Sequence, residues 1–464
     1  MILSVEKMVY GGDGLARLPA DTHQSEAHSH GKAVFIPFVL AGEKVEASLT
    51  ETKPGFARAR ADKIITASPH RVPPACRYFL RCGGCHYQQA SYEHQIEIKK
   101  EILRENLRRI AKLELTCEVQ AHLSPPWNYR NRSRLQVRTR PEFAAGYFKF
   151  ASHELLPVEE CPISSPLINQ AIAPLWRVGR AGTVPDGVRE IEFFANADDS
   201  KLLVEASCAS EARRAALRAW MEEFCAAMPQ ITGAVAFREK PDGIREQLIS
   251  IGTPELIYQT RRSSFRVSSG SFFQTNRFLT DELVEIVTAG RSGEVALDLY
   301  AGVGLFSTAL ACNFRHIVSV ESSQTAANDL AYNLPGNGEA VRSPADRYLQ
   351  AFSGAPRAGA GRLPAATNGE METGRAGKGK FPQQYLHTPD LIVVDPPRGG
   401  LGSRVARSLA TLSAPRVTYV SCDPATLARD LVPLLAAGYR VEEVHLVDLF
   451  PQTFHLESIV QLVK

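Results

Sequence analysis

The stretch Arg416-Val417-Thr418-Tyr419-Val420-Ser421-Cys422-Asp423-Pro424 reads as an apolar strand that stops at Ser-Cys-Asp-Pro, where Asp-Pro opens a helix. A cysteine just past a buried strand stands at the carboxyl edge of a sheet, where α/β enzymes place reactive groups. Cys422 is therefore the candidate nucleophile, against the plainer reading of a small buried thiol. Its candidate partner is Glu457, which follows the next expected strand, Val441 to Leu449, in the run Phe450-Pro451-Gln452-Thr453-Phe454-His455-Leu456-Glu457. A thiol and a carboxylate at one sheet edge suit covalent catalysis with proton removal.

The elements that must position them follow a strand, glycine turn, helix pattern. Val295 to Tyr300 runs into Ala301-Gly302-Val303-Gly304-Leu305-Phe306, and His316 to Glu321 is a second strand whose terminal acid lies 23 residues after Asp298. This is the start of a doubly wound sheet, with a turn that admits a ligand to the backbone and an acid placed for ribose hydroxyls. The third glycine that seats a dinucleotide's pyrophosphate is missing, which favours an adenosyl ligand without phosphates, namely S-adenosylmethionine. Leu391 to Val394 is a further strand, ending in Asp395-Pro396-Pro397-Arg398. Base amino-methyltransferases carry Asp-Pro-Pro there, followed by a stacking aromatic; the arginine here weakens that alternative. With a methyl donor, the thiol and the acid match methylation at C5 of uracil. That carbon is a poor nucleophile until a thiolate adds to C6, and a base must then take the C5 proton so that the thiolate can leave.

A chain of 464 residues exceeds a single core, and three domains are expected: 1–62, 63–268 and 269–464. The first alternates short β-like runs with glycine turns, as a small barrel does, with Asp21 to Gly31 as a polar loop. The second is mixed α+β. It contains a helix from Ser91 to Leu113 and a strand from Tyr129 to Arg140 in which Arg130, Arg132, Arg134, Arg138 and Arg140 share one face, a basic stripe expected to touch phosphate. The third is α/β, with an Ala-, Gly- and Pro-rich disordered insertion at 353–389. The net charge of +3 leaves RNA contact to local patches. No apolar run suits a signal peptide or a membrane span, so a cytoplasmic protein with no membrane contact is expected; a monomer is expected as well.

Nine cysteines in a reducing compartment point to metal binding or catalysis. Cys76, Cys82, Cys85 and the distant Cys161 offer four thiolates, enough to close a [4Fe-4S] cluster; zinc would accept them too. Radical enzymes use Cys-x3-Cys-x2-Cys and leave one iron open, which this spacing is not. Cys117, Cys208, Cys225 and Cys312 form no pattern.

These residues together resemble the RNA uracil-C5 methyltransferases, in particular the 23S ribosomal RNA members with an amino-terminal TRAM domain and an iron-sulfur cluster. Gly11-Gly12-Asp13-Gly14-Leu15-Ala16-Arg17 is similar to the TRAM signature, and Ser271-Phe272-Phe273-Gln274-Thr275-Asn276 to the family's cofactor motif. The resemblance implies an α/β fold: a Rossmann-like S-adenosylmethionine-dependent methyltransferase domain preceded by a TRAM or OB-like β-barrel and an α+β central domain with the iron-sulfur site. It implies Cys422 as nucleophile, Glu457 as base, Gln274, Tyr300, Glu321 and Asp395 around the cofactor, and Cys76, Cys82, Cys85 and Cys161 as cluster ligands. The substrate it implies is a uridine in 23S ribosomal RNA, with transfer RNA as the alternative. Two departures are Ala301, where the family often has cysteine, and Asp423, where asparagine is common and whose charge would raise the thiol pKa.

Overall fold

The computed structural model describes residues 1–18, 31–240, 245–353 and 388–464. The Asp21 to Gly31 loop and the 353–389 insertion lie outside these residues except at their ends. Among the described residues no helix is long and apolar enough to cross a membrane.

Strands β1 (Ile2–Ser4), β2 (Lys7–Met8), β3 (Asp13–Arg17), β4 (Ala33–Pro37), β5 (Lys44–Thr52) and β6 (Phe56–Thr66) form one six-stranded sheet in the order β1-β5-β6-β4-β3-β2. Strict alternation builds it: on β6, Ala57 and Ala59 point inward and Arg58 and Arg60 outward. Small inward residues let the strands close tightly over Val34, Ile36 and Val45.

Helix α1 (Tyr92–Ile110) and strand β7 (Val119–His122) follow. A seven-stranded sheet then collects β8 (Arg132–Arg138), β9 (Ala144–Phe148), β10 (Leu155–Pro157), β11 (Val188–Ala195), β12 (Leu202–Cys208), β13 (Ile231–Glu239) and β14 (Arg245–Gly252) in the order β10-β9-β8-β11-β12-β13-β14. Its helices α2 (Pro166–Arg180) and α3 (Arg214–Ala227) bury Trp176, Trp220 and Phe224 in its core. The hairpin β15 (Glu255–Gln259) and β16 (Ser264–Ser268) leads to helix α4 (Thr280–Thr288).

The expected arginine stripe is partly neutralised by its neighbours. Glu192 on β11 faces Arg134 on β8 and accepts from Arg132 Nε at 2.6 Å and from Arg134 Nη2 at 2.8 Å. Arg140 pairs with Asp186, and Arg138 donates to the Glu142 carbonyl. The acids missing along the strand itself arrive from its neighbours.

The last sheet is laid down by β17 (Gly293–Leu299), α5 (Leu305–Leu310), β18 (Phe314–Glu321), α6 (Gln324–Asn333), β19 (Gly338–Arg342), α7 (Ala345–Ser353), β20 (Leu391–Val394), α8 (Gly402–Leu412), β21 (Arg416–Ser421), α9 (Pro424–Ala436), β22 (Arg440–Val447) and β23 (Glu457–Val463). Its order is β19-β18-β17-β20-β21-β23-β22-β7, parallel from β19 to β21 with β23 inserted antiparallel. Strand order reverses between β17 and β20, which opens a crevice at their carboxyl ends. The segment 92–122 belongs to this layer: β7 pairs with β22, and Ile96, Ile102, Leu103 and Leu107 of α1 share a core with Leu427, Leu431 and Leu434 of α9.

Candidate active site

Strand β21 delivers Cys422 to the carboxyl edge and cannot continue, because Pro424 has no N–H for the ladder. Asp423 caps α9, its Oδ1 accepting from the N–H groups of Ala425 at 3.0 Å and Thr426 at 2.9 Å. The ladder between β21 and β23 closes with Ser421 facing Ser458, so the next position on each strand sets Cys422 opposite Glu457. Glu457 is buried and the Cys422 thiol half-buried. Burial pushes the thiol up to about 12, Glu457 and Asp395 add to the rise, and Arg398 opposes it. Asp423 acts as its charge suggests, but as the smallest of these influences. Burial, then Asp395, holds the Glu457 carboxyl well above the carboxylate range. His455, two residues before Glu457, is pushed down to about 3 by burial followed by Arg398, making it a poor proton acceptor.

This geometry sets a pH dependence. Alkylation of Cys422 by iodoacetamide in the free protein, followed on its own peptide by mass spectrometry, should keep climbing about tenfold per pH unit beyond pH 9, where an ordinary thiol of pKa ~8.5 levels off. A plateau near pH 9 would mean that the thiol does not sit in this buried, acidic surrounding.

At the crevice, Tyr300 follows β17 with φ of 64°, a left-handed conformation costly for an aromatic residue. Gly302, φ 56°, donates its N–H to Glu321 Oε2 at 2.9 Å, and Ser323 N–H donates to Glu321 Oε1 at 2.7 Å. The Glu321 carboxylate is thereby fixed at the end of β18. Asp395 follows β20, and Asp298 lies one strand over with its Oδ1 buried and without a hydrogen-bond partner. Burial pushes both carboxyls up to about 7, and for Asp395 the neighbouring Asp298 adds to it. Gln274, between β16 and α4, is buried. An unpartnered buried acceptor and a fixed carboxylate at a switch point fit a ligand that carries amino and hydroxyl donors.

Away from that crevice, Cys76, Cys82, Cys85 and Cys161 line one cavity of about 170 Å³ together with Tyr78, Tyr147 and Arg130. Among the described residues no three His, Cys, Asp or Glu side chains converge as on a single metal ion.

Comparison with known proteins decides the family. A family model described as tRNA (Uracil-5-)-methyltransferase matches residues 91–464, and a TRAM domain model matches residues 3–61. The chain belongs to the RNA uracil-C5 methyltransferase family. An uncharacterized RNA methyltransferase of Aquifex aeolicus is 29% identical over 463 residues, covering 99% of this chain and 97% of that one. The 23S rRNA (uracil(1939)-C(5))-methyltransferase of Pseudomonas putida is 28% identical over 463 residues, covering 98% and 92%. In fold the methyltransferase is similar to the Pyrococcus abyssi tRNA (uracil-54, C5)-methyltransferase solved with S-adenosyl-L-homocysteine, with a TM-score of 0.70, 21% identity and full coverage of both chains.

The methyltransferase pins the loop before Glu457 with residues to which the sequence assigned no such role. Lys99 of α1, fully buried, reaches Asp448 Oδ1 at 2.6 Å and the Phe450 carbonyl at 3.0 Å. Gln452, φ 69°, exchanges amide hydrogen bonds with Gln95, and its carbonyl accepts the N–H groups of His86 and Tyr87. Tyr129 Oη donates to the Pro451 carbonyl, and Asn276 Nδ2 to the Leu449 carbonyl. A signal was available on α1, where Gln95 and Lys99 fall on the apolar face marked by Ile96, Ile102 and Leu103.

Proposed function

We propose that this methyltransferase transfers a methyl group from S-adenosylmethionine to C5 of a uridine in RNA through a covalent adduct at Cys422. The observation that carries this reading is the β21–β23 ladder, whose last pair, Ser421 with Ser458, leaves Cys422 and Glu457 as the next neighbours, beside the crevice at the strand reversal. S-adenosylmethionine, when bound, supplies an electrophilic sulfonium methyl; Gln274, Tyr300, Glu321 and Asp395 are the residues that would hold it. Cys422, as thiolate, adds to C6 and makes C5 nucleophilic. After C5 has taken the methyl, Glu457 removes the C5 proton, the C6–S bond breaks, and the thiolate is released. Burial suits Glu457 to that step, because it raises the carboxylate's affinity for a proton. The target base must leave its stack to reach a half-buried thiol.

The Pseudomonas putida relative, matched along nearly its whole length, supports 23S ribosomal RNA as the substrate. Mapping 5-methyluridine in ribosomal and transfer RNA from cells with and without the protein tests this. Loss of the mark from one 23S position is expected; loss from transfer RNA alone would replace that substrate. The amino-methyltransferase alternative places its chemistry on Asp395-Pro396-Pro397, so methylation that survives Cys422→Ala would support it.

For the four-cysteine cavity we propose a [4Fe-4S] cluster rather than zinc. A zinc ion needs its sulfurs about 2.3 Å from one point, whereas a cubane occupies space between them. Cys76, Cys82, Cys85 and Cys161 would be its ligands. Its place is structural, since the cavity lies outside the Cys422 crevice. Protein purified without oxygen is expected to carry iron and sulfide at about four of each per chain. Stoichiometric zinc without sulfide would overturn the assignment.

A further inference from the structure

Past the final ladder pair, Ser421 with Ser458, the Cys422 carbonyl has left the sheet, and α9 has not yet begun. The hydroxyl of Tyr10, from the amino-terminal barrel, donates to that carbonyl at 3.2 Å. The same ring meets Phe454 edge-on, with centroids 5.5 Å apart and planes at 87°. Phe454 in turn carries His86 at 4.6 Å and lies three residues before Glu457. One side chain of the barrel thus touches both the segment that presents the thiol and the segment that leads to the acid.

The barrel is built to hold Tyr10 there. It sits in the turn between β2 and β3, closed by the Gly12 N–H to the Val9 carbonyl at 3.2 Å and the Val9 N–H to the Asp13 carbonyl at 2.9 Å. Gly12 has φ of 94°, and a Cβ on it would come within 2.9 Å of the His86 side chain, so only glycine lets the turn approach this closely. Met8, just ahead, is buried in the core of the carboxy-terminal layer, and Lys7 pairs with Glu105 on α1. The turn is docked on the carboxy-terminal layer ahead of Tyr10 and lies against His86 after it.

We propose that Tyr10 is a positioning residue for Cys422, so that docking of the TRAM barrel, beyond any contact it makes with RNA, sets the geometry of the thiol. This rests on Cys422 as the nucleophile. Without the hydroxyl, the carbonyl of Cys422 is released and the strand end loosens. The thiol then becomes easier to reach for a small reagent but is less well aimed at C6.

Tyr10→Phe in the full-length protein tests this, because it keeps the ring on Phe454 and removes only the donor. Two readouts should move in opposite directions: single-turnover methyl transfer at saturating RNA should fall about fivefold, the scale of one lost neutral hydrogen bond, while alkylation of Cys422 by iodoacetamide rises by about threefold. RNA affinity should stay within about twofold, and Tyr10→Ala should lose more of the rate, since it also uncovers Phe454. Weakened RNA binding with an unchanged single-turnover rate would reduce Tyr10 to an RNA contact and overturn the proposal, as would an unchanged rate and alkylation. The alkylation readout does not depend on the reaction, so a failure of the nucleophile reading, seen as methylation by Cys422→Ala, is distinguishable from a failure of this one.

Discussion

Glu457→Gln is expected to stall the enzyme after methyl transfer and to leave RNA attached to Cys422. The substitution is nearly isosteric and replaces a buried acid by a neutral amide, so the start of β23 should keep its place opposite Cys422. Thiolate addition and methyl transfer need no base at C5, but release does, and loss of a positioned base costs about 10² to 10⁴ in rate. The expected product is a denaturation-resistant protein–RNA band that carries the donor's methyl label. Cys422→Ala should instead abolish both turnover and adduct while RNA and S-adenosylmethionine still bind, because Glu321 and the Tyr300 to Gly304 turn are held by contacts that do not involve the thiol. Normal turnover by Glu457→Gln would assign the base elsewhere. Inactivity without an adduct would place Glu457 before methyl transfer, and the role given to it would be wrong.

The second large effect is on stability. Lys99 and Asp448 are both buried and reach each other from elements 349 residues apart. Lys99→Met keeps the aliphatic stem but strands a carboxylate whose Oδ2 already lacks a hydrogen-bond partner. Removing one member of a buried pair costs about 3 to 5 kcal/mol, because the remaining charge has no water to return to. Denaturant unfolding followed by circular dichroism should show a loss of that size. Adding Asp448→Asn should recover most of it, since the uncompensated charge is then gone. A loss below about 1 kcal/mol for Lys99→Met alone would mean that Asp448 is solvated or neutral, and that the loop before Glu457 is held by its amide and carbonyl contacts instead.

The features legible in the chain were those written in short-range grammar. Val417 to Cys422 announces a buried strand with a thiol at its end, Gly302 and Gly304 a turn that only unusual backbone angles can make, and Glu321 an acid closing the next strand. Each depends on residues within about two dozen positions, so pattern, spacing and period suffice to read it. Ser421 opposite Ser458 was not legible in this way: β23 was not expected at all, and its antiparallel insertion is what turns Glu457 back towards Cys422.

What only the tertiary structure decided was the pairing of polar groups across long separations. The arginines of β8 formed a free basic stripe in sequence, yet β11 brings Glu192 against two of them. Tyr10 lies 412 residues from the carbonyl that accepts its hydrogen bond. Hydrophobic period tells which face of an element is buried, but a buried polar group is tolerated only where a particular partner meets it. That partner is chosen by how the layers pack, a choice that no local spacing records.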